Sequence, residues 1–290
     1  AKVEKIGDVT AKEAITRTIP LIQRDNDTGI LTHGPRLLNA PQILHSIGIT
    51  ADTSSARFTF RTRDGATKEA TLTAHRRATR VHPLPAPRDI DISRVPLYLR
   101  DTSLFSVYPL IEDSALYVRL GAIAEDEKLS MSQMGDSILG SARRNGTRNL
   151  ILDIRQNTGG ETALFPPMIV ALAQFVHDNP SRRLYVITGR LTFSAAQNFA
   201  ATVEHYIPQV IFVGEPTGSR PNFIGESTPV TLPYSGTRAI ISSRWNQNTD
   251  FTDGRMWIAP EIPIPLSSKD YFAGRDPVVS GIIAIIRNQG

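Results

Sequence analysis

The chain has 290 residues, enough for one large domain or two ordinary ones, and its 40% hydrophobic and 21% charged residues are typical of a globular protein. It has no cysteine, which excludes disulfides, catalytic thiolates and cysteine-ligated zinc. The net charge is only +4 and the basic residues are scattered, so nucleic-acid binding is not predicted. No apolar run approaches the ~20 residues that span a bilayer.

Residues 1–100 are predicted to form a small mixed domain. The pattern predicts helices over residues 11–23 and 41–47 and a β-hairpin over residues 56–73. Four prolines between residues 82 and 98 predict a linker, because proline favours extended connections. The first residues resemble neither a signal peptide nor the start of a gene product, so we expect the chain to be processed or to be a fragment.

From residue 104 to residue 290 the pattern changes to an alternation of strands and helices, which is typical of an α/β layer fold. The predicted strands cover residues 115–120, 150–154, 184–188 and 210–213, and the predicted helices cover residues 127–144, 164–176, 194–205 and 277–286. Residues 226–245 return to β alternation.

Two loops stand out because each follows a predicted buried strand and opens a helix. The first contains Gly159-Gly160, and paired glycines allow positive φ and a close approach of the backbone to a ligand. The second contains Ser194 at a helix start, where the dipole favours negative charge and the next N–H can hold an oxyanion. Taken alone, the first loop is more often an ordinary βα turn, and a serine in the position of Ser194 is more often a helix-capping residue.

Together these loops resemble the signature of the S41 peptidases, the tail-specific or C-terminal-processing proteases. Leu150 to Gly160 resembles the first motif of that family, and Phe193 to Phe199 resembles its nucleophile helix. Later landmarks follow in the expected order: Val213 to Gly218, Gly225-Glu226, Leu232-Pro233, Ala259 to Ile262 and Gly274 to Pro277. The resemblance covers residues 104–290 well and residues 1–80 more weakly.

The resemblance implies an α/β fold with a ClpP/crotonase-like β-spiral, preceded by a small mixed α+β, partly PDZ-like region. It implies a serine peptidase that forms an acyl-enzyme on Ser194, with Ala195 and either Gly159 or Gly160 giving backbone N–H groups to an oxyanion hole. Asp253 falls roughly where one branch has an acid that orients the base, although an exposed turn aspartate is the commoner role. The implied partner is a peptide or protein substrate, without a cofactor, and exported relatives suggest an extracytoplasmic location. The oligomeric state stays open.

The general base is missing from this pattern. One branch of the family uses a lysine in the loop after Gly218, but that loop contains Arg220, which stays protonated and cannot accept a proton. The other branch, which resembles the tricorn core protease, uses a histidine in a short Gly-Asp-x-His-Thr-like segment that this sequence lacks. Residues 1–9 resemble a stretch that follows that segment, so we expect the base to lie upstream of Ala1. Among the six histidines His33 is the best substitute by composition, but its place in the chain is wrong.

Two other functions remain open. A non-catalytic protein that binds a ligand or peptide on the same fold would explain the missing base. An acyl-CoA enzyme of the crotonase type shares the glycine-lined oxyanion hole, but the chain lacks a suitable pair of glutamates. No grouping of histidine with aspartate or glutamate has the spacing of a metal site.

Overall fold

A computed structural model describes residues 2–62, 64–74, 91–100 and 102–289. The chain divides into two compact units, Ala1–Ile90 and Asp91–Gly290. The predicted linker at residues 82–98 lies outside the described residues as far as residue 90. Its remainder belongs to the second unit and contains two 3-10 turns, Ile92–Arg94 and Leu97–Leu99.

In its described residues, 2–62 and 64–74, the first unit has a four-stranded antiparallel sheet and three α-helices. Its elements are β1 (Lys2–Ile6), β2 (Val9–Thr10), α1 (Ala11–Thr18), α2 (Thr28–Leu37), α3 (Pro41–Ser46), β3 (Ser55–Arg61) and β4 (Thr67–Thr73), with strand order β2-β1-β3-β4. The predicted helix over residues 11–23 ends at Thr18 and continues as a 3-10 turn, because Pro20 has no N–H for the helical ladder. Its core is small and contains Ile6, Ala14 and Leu44.

The second unit is built on a six-stranded sheet with strand order β12-β9-β8-β7-β6-β5. Its elements are β5 (Phe105–Leu110), β6 (Ala115–Leu120), α4 (Met131–Arg144), β7 (Asn149–Asp153), α5 (Pro166–His177), β8 (Arg183–Thr188), α6 (Ala195–Tyr206), β9 (Ile211–Gly214), β10 (Phe223–Thr231), β11 (Arg238–Asn246), β12 (Ile262–Pro263), α7 (Ser268–Phe272) and α8 (Pro277–Gln289). Strands β6 to β9 and β12 run parallel, and β5 pairs antiparallel with β6. The fold class is therefore mixed α/β, as the sequence predicts.

Both faces of the six-stranded sheet are covered. Leu116, Val118 and Leu152 pack on one face in the cluster that includes α4, α5 and α6. Tyr117 and Ile151 point to the opposite face, where α8 packs. Since successive side chains of a strand point to opposite faces, a strand covered on both sides reads as the continuous apolar run seen in the sequence.

Helix boundaries differ from the sequence prediction where local capping decides them. Helix α4 starts at Met131 instead of residue 127, because Ser130 and Gln133 form a reciprocal capping box. The closing helix continues to Gln289. Across the described ranges of the chain, no helix combines the length and the apolar character needed to cross a bilayer.

A buried ion cluster joins the end of β7 to the start of α8. Arg155 makes two hydrogen bonds to the carboxylate of Asp276, at 3.0 and 2.9 Å, and its Nε contacts both oxygens of Asp153. Tyr117 donates to Asp153 over 2.6 Å, and the guanidinium lies 4.5 Å from the ring centroid of Tyr98. Burial, and then the nearby charge of Asp153, raise the pKa of the Tyr117 hydroxyl, which therefore stays a donor. The loop that follows β7, residues 154–160, is called the glycine loop below. The ion cluster holds its first residues against the sheet.

Replacing Asp276 with alanine should destabilise the second unit by about 3–5 kcal/mol, because it leaves the buried charge of Arg155 without its bidentate partner. The substitution also removes the carboxylate that accepts the N–H groups of Val278 and Val279 at the start of α8. Both tryptophans of the chain, Trp245 and Trp257, lie in this unit, so their fluorescence in urea follows its unfolding.

Arg275→Ala is the matched control, because Arg275 is next to Asp276 in sequence and its pair with Asp270 is exposed. It should change the free energy of unfolding by less than about 1 kcal/mol. Equal effects of the two substitutions would show that the buried cluster does not anchor this part of the fold.

Candidate active site

The loop that follows β7 is shaped by the buried side chain of Asn157. Its Nδ2 donates to the carbonyl of Leu120 over 3.1 Å, and its Oδ1 accepts the N–H of Gly159 over 3.0 Å. The carbonyl of Gly159 in turn accepts the N–H of Ile123 over 2.9 Å. These bonds attach the loop to the end of β6 and set the direction of each peptide group in it.

The loop that follows β8 is attached to the first loop. Buried Thr192 donates its hydroxyl to the carbonyl of Ile154 and accepts the N–H of Gly189. The N–H of Phe193 donates to the carbonyl of Asn157 over 3.2 Å. The two loops singled out in the sequence are thus bonded to one another.

Gly159 and Ser194 approach closely at this junction. A methyl carbon placed on Gly159 would lie 2.7 Å from Cβ of Ser194 and 3.0 Å from the nitrogen of Ala195, closer than real Cβ atoms come to other atoms. Gly159 also has φ +113°, and Gly160 has φ +143° with its would-be Cβ 2.0 Å from the carbonyl oxygen of Ile123. Only glycine fits at either position.

The backbone conformation of Ser194 excludes the interpretation that this residue is an ordinary helix-capping serine. Its φ and ψ are 54° and −128°, and its side chain makes no capping hydrogen bond to α6. Ser130 and Ser267 precede α4 and α7 in the extended conformation of ordinary capping residues, and each accepts a helix N–H. A non-glycine residue at positive φ typically costs about 1–3 kcal/mol, and such strain clusters at functional sites. A serine on a strained strand-to-helix turn is the arrangement of a nucleophile elbow.

The backbone N–H groups near Ser194 are of two kinds: those without an acceptor and those already in a hydrogen bond. Within the described residues, the N–H groups of Ala195 and Gly160 have no acceptor, whereas the N–H of Gly159 is engaged by Asn157. The sequence predicts Gly159 or Gly160 as an oxyanion donor, and the hydrogen bond to Asn157 removes Gly159 from that role in this arrangement. Sequence reasoning missed Asn157, because its effect depends on two contacts that the sequence does not show.

No base contacts Ser194 in the part of the chain that the structure describes: its hydroxyl makes no capping hydrogen bond and none to another side chain there. His205 is on the same helix, but eleven residues further, which is about 16 Å at the rise of an α-helix. His177 ends α5, and Arg220 is exposed after Gly218. His33 belongs to the first unit, where burial and then Arg36 lower the pKa of its imidazole.

Asp253, the predicted orienting acid, is paired with an arginine. It accepts hydrogen bonds from the backbone N–H, Nε and Nη2 of Arg255, whose guanidinium also makes two bonds to Glu204. The hydrogen bond from Arg255 lowers the pKa of Asp253 to about 2. No histidine within the described ranges bonds to this carboxylate, so its contacts give no support to an orienting role. The arginine two residues after Asp253 is visible in the sequence, but its second partner, Glu204, lies 51 residues before Arg255.

An amide network, also missed in the sequence, lies beside α6. Asn198, one turn after Ser194, donates to the hydroxyl of Thr162 and accepts from Nδ2 of Asn248 over 2.8 Å. Oδ1 of Asn222 accepts the N–H groups of Asn248 and Thr249. The network joins α6 to the base of the β10–β11 hairpin. In the described part of the chain, no group of three or more acidic or histidine side chains is arranged to hold a metal ion.

Comparisons with known proteins identify similar folds but do not identify the reaction of this protein. No protein-family model matches the sequence, and no curated protein matches it. The structure of mature CPAF complexed with lactacystin matches with a TM-score of 0.56 at 10% identity, over 98% of this chain and 76% of that chain. Mature CPAF by itself gives a TM-score of 0.55 at 12% identity, over 99% and 77%. The photosystem II D1 C-terminal processing protease matches at 14% identity, over 80% of this chain and 59% of that chain. Its TM-score of 0.42 is too low to indicate a shared fold. The chain therefore has a fold similar to that of mature CPAF.

The strain at Ser194 predicts that Ser194→Gly is more stable than Ser194→Ala. Both variants remove the hydroxyl, but only glycine relieves the positive φ. We expect a difference of about 1 kcal/mol in the free energy of unfolding, after allowing for the greater freedom of glycine in the unfolded chain. Urea unfolding followed by tryptophan fluorescence measures it, and an alanine variant as stable as the glycine variant would show that the turn is relaxed.

Gly159→Ala should destabilise the second unit by about 3 kcal/mol, because it adds a clash with Ser194 to the cost of positive φ. Gly146→Ala is the matched control: φ is +59° and no atom lies within 4 Å of the added methyl position. We expect it to cost about 1 kcal/mol. The same unfolding measurement compares the two, and similar losses would mean that the loops are free to separate.

Proposed function

We propose that this protein is a serine peptidase of the S41 type that cleaves peptide bonds through an acyl-enzyme on Ser194. The observation that carries the proposal is the strained turn at Ser194, held against Gly159 with the N–H of Ala195 free beside it. A nucleophile at a helix N-terminus needs an available hydroxyl and an unpaired N–H beside it, whereas an ordinary capping serine is unstrained and its hydroxyl is engaged by a helix N–H.

The chemistry follows from these positions. A base removes the proton of the Ser194 hydroxyl as Oγ attacks the carbonyl carbon of a peptide bond. The oxyanion that forms accepts hydrogen bonds from the N–H groups of Ala195 and Gly160, each of which typically lowers the barrier by about 3 kcal/mol. The carbon–nitrogen bond then breaks, and the amine leaves with the proton that the base returns. Water hydrolyses the resulting ester by the same steps and regenerates the serine.

Because no proton acceptor within the described residues bonds to Ser194, we propose that the chain is nearly inactive as it stands and that its site suits a histidine base, as in the tricorn-like branch. The ClpP/crotonase-like arrangement of the sheet and a tail-specific choice of peptides belong to the same proposal. The alternative is a non-catalytic binder of ligands or peptides, which the missing base favours.

A fluorophosphonate probe tests the nucleophile directly, since it reacts with activated serines. We expect slow labelling of Ser194 that added imidazole accelerates about tenfold or more, because imidazole replaces the missing base. Intact-mass and peptide mass spectrometry would locate the adduct.

Two variants make the result specific. Ser194→Ala should abolish labelling, and Ser130→Ala, which removes an ordinary capping serine, should leave it unchanged. Absence of an adduct on Ser194 at every imidazole concentration would reject the peptidase and favour the binder.

A further inference from the structure

The hairpin formed by β10 and β11, residues 223–246, is a two-stranded sheet by itself. Its strands pair only with each other among the described residues, from Phe223 opposite Asn246 to Thr231 opposite Arg238. Each strand therefore keeps one edge of unpaired N–H and C=O groups. An isolated two-stranded sheet is marginally stable in water, and an open edge is a template for another strand. We call residues 223–246 the hairpin arm.

One face of the hairpin arm carries large, exposed apolar side chains, with the polar residues Glu226 and Ser243 between them. Ile241 and Trp245 share a face of β11, and the register places Thr228 and Ile224 opposite them, with Val230 further along. Four of these side chains are large and apolar: Ile224 is 59% exposed, Val230 41%, Ile241 58% and Trp245 54%. We call this set the apolar face.

The opposite face of the hairpin arm is mostly polar. It presents Ser227 with Ser242, Gly225 with Arg244, and Thr231 with Arg238. The apolar residues on this opposite face are Phe223, at the base of the arm, and the pair Pro229 and Ile240. A sheet that is polar on one side and apolar on the other normally packs its apolar side on another layer. In the described part of the chain, these four apolar side chains remain exposed.

The base of the hairpin arm is fixed beside the nucleophile. The ring of Phe223, the first residue of β10, lies 6.4 Å from the ring of Phe193, which directly precedes Ser194. The amide network through Asn222, Asn248 and Asn198 attaches the same end of the arm to α6. A chain lying along the arm would therefore run toward the hydroxyl of Ser194.

We propose that the apolar face and the adjoining open edge bind the substrate as an extended peptide with apolar side chains at alternate positions. The inference rests on the proposed peptidase function and names the substrate class of that site. An added strand satisfies the unpaired edge groups, and its alternate side chains cover the apolar face. From Ile224 to Val230 the face is about 20 Å long, which accommodates roughly six residues of a strand.

Fluorescence of Trp245 tests the proposal in the full chain. In a Trp257→Phe background, Trp245 is the only emitter, and a peptide with valine at alternate positions and serine between should shift its emission to the blue and protect it from acrylamide. A peptide of the same composition with its valines grouped in one block should bind about tenfold more weakly, because its side chains cannot share one face.

Neighbouring isoleucines supply the matched variants. Ile241→Lys places a charge on the apolar face and should weaken binding of the alternating peptide about tenfold. Ile240→Lys alters an equally exposed residue, 59% against 58%, on the opposite face, and should change binding less than about twofold. Both changes are at exposed positions, and circular dichroism checks that the variants fold.

The possible outcomes distinguish failure of this binding proposal from failure of the proposed peptidase function. Equal losses in both variants, no binding of the alternating peptide, or a Trp245 already shielded from acrylamide without peptide would overturn it. The last result would mean that another part of the protein or a second copy covers the face, and sedimentation of wild type and Ile241→Lys would tell these apart. Fluorophosphonate labelling of Ser194 reports on the nucleophile separately, and Ile240→Lys, on the opposite face, should leave it unchanged. Its loss in all proteins would reject the peptidase, whereas labelling without peptide binding rejects only the role of the hairpin arm.

Discussion

The geometry of the candidate site depends on the close approach of two backbone turns, one at Gly159 and one at Ser194. A side chain on the first would overlap the second, so the absence of a Cβ lets the N–H of Ala195 and the hydroxyl of Ser194 lie beside the glycine loop. The hydrogen bond from Phe193 to Asn157 holds the approach, and Asn157 also orients the peptide group of Gly159. A site of this kind is made mainly of main-chain groups, whose positions are set by the strands that precede them.

The strained conformation at Ser194 bears on the choice between an enzyme and a binder. Strain in the backbone lowers stability and persists where the surrounding structure imposes it. A protein that only holds a ligand in a groove gains nothing from a serine in this conformation, whereas a nucleophile gains exposure of its hydroxyl and access to the N–H of the next residue. The likeness to mature CPAF supports the fold, and the inference about chemistry stands on this residue and its neighbours.

Much of the fold could be predicted from the sequence because its signals are local. Continuous apolar runs such as residues 150–154 mark buried strands, and Gly159-Gly160 and Ser194 mark the two turns. The positive φ of Ser194 could not be predicted, since serine rarely adopts it and the surrounding loops impose it. The engagement of the Gly159 N–H by Asn157 and the pairing of Arg255 with Glu204 could not be predicted either. Each depends on the direction of one side chain, which residue spacing does not determine.

The ion cluster around Arg155 also has a consequence for the order in which the molecule is assembled. Arg155 precedes its partner Asp276 by 121 residues, so during synthesis the guanidinium has no such partner until the ribosome has made almost the whole second unit. Contacts between residues this far apart in sequence form late, because a long loop must close first. The glycine loop is therefore expected to reach its final shape only when the closing helix docks, which delays any reactivity at Ser194 until residues 277–289 have been synthesised.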